Sequence, residues 1–160
     1  MSTIVRYAGR VQTRWLDEDQ QRAWRRWVAL SRRLPAALNR QLQAEADLSL
    51  ADFDVLVPLS EGHDGRMRAR ELGVELGWEK SRLSHHLTRM ERRGLVARTG
   101  APEDARGSVV VLTGAGRAAI EAAAPRHAET VRELFFADLT EDELRVLTEL
   151  VGRVLARLPE

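Results

Sequence analysis

Between Lys80 and Arg93 the chain places Ser81, Arg82, His85, Thr88, Arg89 and Arg92 on one side of a helical pattern. Leu83, Leu87 and Met90 recur at i, i+4 and i+7 on the other side. Hydroxyls, imidazole and guanidinium groups on one face match the donor and acceptor edges of base pairs, and cations match phosphates. The chemistry on offer is recognition rather than bond making. Lys80, Ser81, Arg82, Ser84, His85, Thr88 and Arg89 are the candidate nucleic-acid contacts of this helix. Arg82, His85 and Arg89 are expected nearest the base edges, where a bidentate Arg–guanine pair contributes about 1–3 kcal/mol of discrimination. Ser81, Ser84 and Thr88 are expected on phosphates or water, or as plain helix surface.

A short helix must precede this one, and Gly77 breaks its pattern to give a tight turn. Gly94 ends the basic helix, and Leu95–Arg98 starts an extended segment. Residues 99–107 are rich in turn formers, and Val109–Leu112 is a β-branched run that reads as the returning strand. The two strands make a hairpin with Arg106 near its tip, where a guanidinium can enter the minor groove. Arg98, at the base of the hairpin, joins the candidate contacts. A helix, a turn, a basic helix and a basic hairpin in this order predict a winged helix-turn-helix.

The run from Leu72 to Thr113 closely resembles the MarR family of transcriptional regulators. The residues that carry the resemblance include Glu71-Leu72, Leu76-Gly77, Lys80-Ser81, Leu83-Ser84, Leu87 and Met90-Glu91, followed by Arg93-Gly94-Leu95-Val96, Arg98, Asp104-Ala105-Arg106 and Val111-Leu112-Thr113. Helices on either side extend the likeness more loosely over nearly the whole chain. Two departures stand out. Ala105 occupies a wing position where the family often has Arg. Trp78-Glu79 replaces the small hydrophobic–Ser pair that usually opens the recognition helix, and Glu is a poor N-cap. The resemblance implies that Asp104 supports the wing by holding an Arg in place. It also implies a repressor that leaves its operator when a small aromatic or phenolic ligand binds between the dimer helices and the winged lobe. That cleft would be lined by residues 15–27, residues 48–59 and the start of the recognition helix. Trp15, Trp24 and Trp27 would then stack on the ligand; packing alone, in a dimer core, is the other reading of their spacing.

The flanks are helical. Leu30, Leu34, Leu38 and Leu42 form one ridge of a helix over about 16–46, with Pro35 expected to kink or divide it. Ser49 and Asp52 open another helix, which runs to Gly62. Thr113 opens a long Ala-rich pattern to Phe136, and Thr140-x-x-Glu143 is a capping box for a last helix with Leu144, Leu147, Val151, Val154 and Leu155 expected inward. These helices carry more apolar surface than a winged domain of about 60 residues can cover. A homodimer, with helices from both chain ends burying each other, is the economical solution. Two lobes would read an inverted repeat in double-stranded DNA with half-sites about one turn, ~10 bp, apart.

The fold class expected is therefore mainly α (α+β). One MarR-like domain covers 1–160, with dimerisation helices at about 16–46 and 114–158. The winged helix-turn-helix spans about 49–113, with its recognition helix at about 80–93 and a two-stranded wing at about 95–112.

Composition agrees. The chain has 160 residues and a net charge of only +1, yet Arg66–Arg98 holds nine Lys and Arg against four acids, and Asp138–Glu149 holds five acids against one Arg. A basic middle and an acidic end assign one surface to phosphate and another elsewhere. With no cysteine, disulfides, thiolate metal sites and thiol redox sensing are excluded. Four scattered histidines argue against a metal site, and no cofactor is expected. The absence of a long apolar run or a signal-peptide core argues against a membrane and favours the cytoplasm. No phosphate loop, dinucleotide fingerprint, zinc-protease helix or nucleophile elbow is present, so an enzyme is not expected. Glu71 and Glu75, at i and i+4 among arginines, read as surface electrostatics. The alternative function is a winged-helix interaction or dimerisation module without specific DNA binding.

Overall fold

The computed structural model describes residues 14–62, 64–100 and 108–159. Arg106 and Asp104 lie outside the described residues. The chain divides into two units, Met1–Arg33 and Leu34–Glu160.

In the first unit the described residues are the opening of helix α1 (Glu18–Ala46) and the four residues before it. Asp17 starts the helix: its carboxylate accepts from the Gln20 amide at 2.8 Å, and the Gln20 side chain accepts from the Asp17 amide at 3.1 Å. This reciprocal pair satisfies two amides that a helix start leaves without partners. Trp15, Trp24 and Trp27 are 69, 58 and 52 % exposed.

The second unit begins within α1. The helix runs through Pro35 without a break, so the expected division does not occur. Helix α2 (Leu50–Glu61) opens at Ser49 with a capping box closed by Asp52. Strand β1 (Arg66–Arg68) leads into helix α3 (Ala69–Leu76), which ends at Gly77 in the left-handed region, φ 62°. The Trp78 amide there donates to the Gly73 carbonyl at 2.9 Å, closing the turn as a C-terminal cap. Helix α4 (Lys80–Arg92) follows, then strands β2 (Val96–Thr99) and β3 (Val109–Leu112), helix α5 (Gly114–Val131) with a π-helical turn at Arg132–Phe136, and helix α6 (Glu141–Leu155).

Strands β2 and β3 form the expected two-stranded wing, and β1, from before α3, adds a third strand to the antiparallel sheet. Their order is β1-β3-β2, with Met67 opposite Val110 and Arg98 opposite Val110 on the other side. Arg-Met-Arg carries no strand signal of its own. It becomes a strand because β3 offers a free edge.

Leu56, Leu59, Leu72, Leu87, Met90 and Val110 are fully or almost fully buried and join α2, α3, α4 and the sheet into one core. Helix α5 is seated on it by Gly116. A Cβ there would lie 2.0 Å from the Leu95 carbonyl oxygen and 2.8 Å from Leu112 Cδ1, so only glycine permits this approach. The inward placement expected for α6 is not met. Leu144, Val151, Val154 and Leu155 are exposed, and no residue of the helix is buried. The Thr140–Glu143 capping box is present as expected.

Candidate nucleic-acid interface

Helix α4 is fixed on its inner side and open on its outer side. Leu83, His86, Leu87 and Met90 are buried; Lys80, Ser81, Arg82, Ser84, His85 and Arg89 are exposed. The expected contact face is thus one continuous surface, and Thr88 lies half-buried at its edge. Glu79 occupies the N-cap position without a side-chain cap, as its chemistry suggests. Amides in the first turn of α4 remain available to an outside acceptor, such as a phosphate oxygen.

Two networks hold this helix in place. The first is centred on Asp52 of α2, 4 % exposed. Its carboxylate accepts from the Ser49 amide at 2.9 Å and from Arg93 Nη1 at 2.8 Å, and lies 3.0 Å from His86 Nε2. The His86 contact is at ion-pair distance but is not aligned as a hydrogen bond. Arg93 also donates to the Asp47 carbonyl. Burial pushes the Asp52 carboxyl up, but His86, the Ser49 amide and hydroxyl, and Arg93 together hold it well below the usual carboxylate range. On its other side, His86 Nδ1 meets Arg89 Nη2 at 2.8 Å, and its ring packs edge-on to Trp78 at 5.3 Å. A guanidinium only donates, so Nδ1 is the acceptor and a neutral His86 carries its proton on Nε2, toward Asp52.

The second network joins α4 to the wing. Arg98 donates through Nη2 to Glu91 at 2.8 Å and through Nε at 3.1 Å, and reaches the Thr88 hydroxyl at 3.1 Å. The Thr88 hydroxyl donates in turn to the Ser84 carbonyl at 2.9 Å. Both Arg98 and Thr88, expected as direct contacts, are therefore already partnered inside the lobe, where they set the angle of β2 against α4. Arg82 is also engaged: its guanidinium lies over the Trp78 ring, 4.2 Å from the centroid.

Nothing in the sequence points to the Asp52–Arg93 pair, whose members are 41 residues apart. Nor does it point to a groove of ≈ 360 Å³ lined by residues of α2, α3 and α5 together with Trp78. Of the expected cleft, this groove contains part of residues 48–59. The recognition-helix start is represented only by the preceding Trp78, and Glu75, exposed as expected, is also part of the lining.

A buried inner stripe, an exposed cationic outer face and a hairpin pinned beside it define a winged-helix DNA-binding lobe. Residues 46–107 match the model of the MarR family. The chain is similar to AbsC, a MarR family transcriptional regulator from Streptomyces coelicolor, with 37 % identity, TM-score 0.83, and coverage of 90 % of this chain and 97 % of that one. It is similar as well to Sco3205, a MarR family transcriptional regulator from Streptomyces coelicolor solved in complex with DNA: 34 % identity, TM-score 0.86, and 92 % and 93 % coverage. An uncharacterised HTH-type transcriptional regulator of Bacillus thuringiensis subsp. konkukian is 31 % identical over 108 residues, which is 68 % of this chain and 70 % of that protein. The protein belongs to the MarR family and is a transcriptional regulator, not an enzyme. No helix among the described residues is long and apolar enough to cross a membrane.

Proposed function

We propose that this regulator is a repressor that binds an inverted-repeat operator as a homodimer and works in the cytoplasm. The observation that carries the reading is the division of α4, with Leu83, His86, Leu87 and Met90 buried and Lys80, Ser81, Ser84, His85 and Arg89 exposed together. The relative solved with DNA supports it. Arg89 and His85 are assigned to base edges, Lys80, Ser81 and Ser84 to phosphates, and Arg82 to base edges after it leaves Trp78. Arg98 and Thr88 are assigned to positioning the wing, with Arg106 as its minor-groove contact and Asp104 as its support.

The dimer is supported by apolar surface that the single chain leaves uncovered. In the first unit this is Trp15, Trp24 and Trp27, and in the second it is Leu144, Leu150, Val151 and Val154 of α6. Exposed apolar area of this extent marks a contact surface. We assign the three tryptophans to that contact rather than to a ligand. The groove beside Trp78 is assigned to an effector with an aromatic body, whose binding releases the operator. One domain spanning 1–160, with dimerisation helices at both ends, is the organisation this reading requires.

The test is a random-library selection of DNA by the purified protein, followed by gel shift at several salt concentrations with competitor. Competitor-resistant binding to a palindromic site, with affinity falling steeply in salt, is expected. Binding that competitor removes at every salt concentration would return the chain to the interaction-module alternative.

A further inference from the structure

The groove of the second unit has a lining that specifies charge as well as shape. Phe53, Leu76, Trp78 and His127 give it apolar and aromatic surface, and Asp54 and Glu75 give it two carboxylates. Among the described residues, no lysine or arginine lines it. Burial holds the His127 imidazole below its ordinary value, so this ring, tilted against Phe53 with centroids 4.2 Å apart, is neutral near pH 7. Arg82 lies outside the lining, over the Trp78 ring. Among the described lining residues, the two carboxylates therefore have no lysine or arginine to pair with, and Arg82 stands just outside them.

We propose that this groove binds an organic cation with a flat aromatic body, its charge between Asp54 and Glu75 and its ring against Trp78 and Phe53. The proposal rests on the reading of the groove as an effector site, and it names the chemical class of that effector. It runs opposite to the phenolic ligand that the family resemblance implies. Four observations converge on it. The volume is within the range that holds a small molecule. Arg82 shows that the Trp78 ring accepts a guanidinium at cation–π distance. Burial pushes the Asp54 carboxyl up, against the pull of Arg82 and His86, so an additional cation beside it favours the ionised form. A carboxylate ligand in the same place would meet two like charges with no basic side chain among the described lining residues to receive it.

The groove is also wired to the DNA-facing helix. Trp78 precedes α4, touches His86 edge-on and carries Arg82. A cation that takes the Trp78 face carrying Arg82, or that draws Asp54 away from Arg82, would change the position of a residue assigned to DNA.

The experiment is isothermal titration calorimetry of the full chain with 1-naphthylmethylammonium and with 1-naphthylacetate, two probes of similar shape and opposite charge. The cation is expected to bind at least about ten-fold more tightly than the anion. Asp54→Asn and Glu75→Gln are each expected to weaken the cation by about three- to ten-fold, and Trp78→Phe by a similar factor. Glu75 is exposed, so its variant keeps the test decisive if the Asp54 variant folds poorly. Equal or tighter binding of the anion, cation binding indifferent to Glu75→Gln, or no binding of either probe would each overturn the proposal. A gel shift with and without the cation separates this from the effector reading. Charge-selective binding that leaves operator affinity unchanged would support the ligand class and refute the effector role; anion binding that releases DNA would do the reverse.

Discussion

Replacing Asp52 with alanine removes the group to which the recognition helix is tied. Three losses follow from the geometry. The capping bond to the Ser49 amide is worth about 1 kcal/mol. The charge-assisted bond from Arg93 is worth about 1 kcal/mol, at the low end because the Arg93 side chain is 39 % exposed and rehydrates. His86, 5 % exposed, loses the carboxylate that lies 3.0 Å from its Nε2, an electrostatic contact worth about 1 kcal/mol. Asp52→Ala is therefore expected to destabilise the protein by about 3 kcal/mol at pH 7, read from urea denaturation at fixed protein concentration. The deficit must also depend on pH. The folded carboxyl titrates below its unfolded value, so its contribution is complete above the unfolded value and is lost as pH falls toward the folded one. With an unfolded value of about 3.9, the gap between wild type and variant narrows by about 1.3 kcal/mol between pH 7 and pH 3. A deficit below about 1 kcal/mol at pH 7, or one that stays constant or widens toward pH 3, would refute this role for the network.

Other consequences can be checked separately. Arg89→Ala should weaken binding to the selected operator by about 1–3 kcal/mol and relax base preference at one position in each half-site, measured by fluorescence anisotropy against a panel of substituted sites. Uniform weakening across the panel would mean that Arg89 meets phosphate instead. Leu150→Asp, on the exposed face of α6, should shift the protein toward monomer in sedimentation velocity while the winged lobe keeps its helical signal; an unchanged dimer would remove α6 from the interface. Gly116→Ala puts a methyl against the Leu95 carbonyl and Leu112, and should cost about 2 kcal/mol or more in the same denaturation assay. A neutral result there would show that α5 can move away from the sheet at little cost.

What the sequence reveals of this fold is local. The recognition helix is legible because Leu83, Leu87 and Met90 repeat at helical spacing, and it ends where Gly94 takes φ 72°. Ser49 with Asp52 and Thr140 with Glu143 announce their helices, because a capping box is complete within four residues. Relations between distant segments are not legible. Strand β1 exists through its register with β3, and its own Arg-Met-Arg is silent. Asp52 reads as a capping residue, yet its burial against His86 and Arg93 depends on how α2 crosses α4. Trp78 reads only as a departure from the family pattern; its place between the groove and Arg82 needs three-dimensional structure. Arg98 illustrates the converse limit. Its type and position fit a DNA contact, and the sequence gives no sign that Glu91 and Thr88 also engage it. The face of α6 is legible as apolar, but its outward direction is not, because hydrophobic periodicity does not say whether the covering surface belongs to the same chain.

If the exposed face of α4 reads DNA, one lobe must sit in each half of a two-fold site. Hydroxyl-radical footprinting on the selected operator tests this most directly. Two protected patches related by symmetry are expected on one face of the duplex, their centres about one turn, ~10 bp, apart or a multiple of that. Arg89→Ala is expected to weaken both patches together. A single asymmetric patch, or no protection at concentrations that saturate the gel shift, would contradict the two-fold reading of DNA by α4.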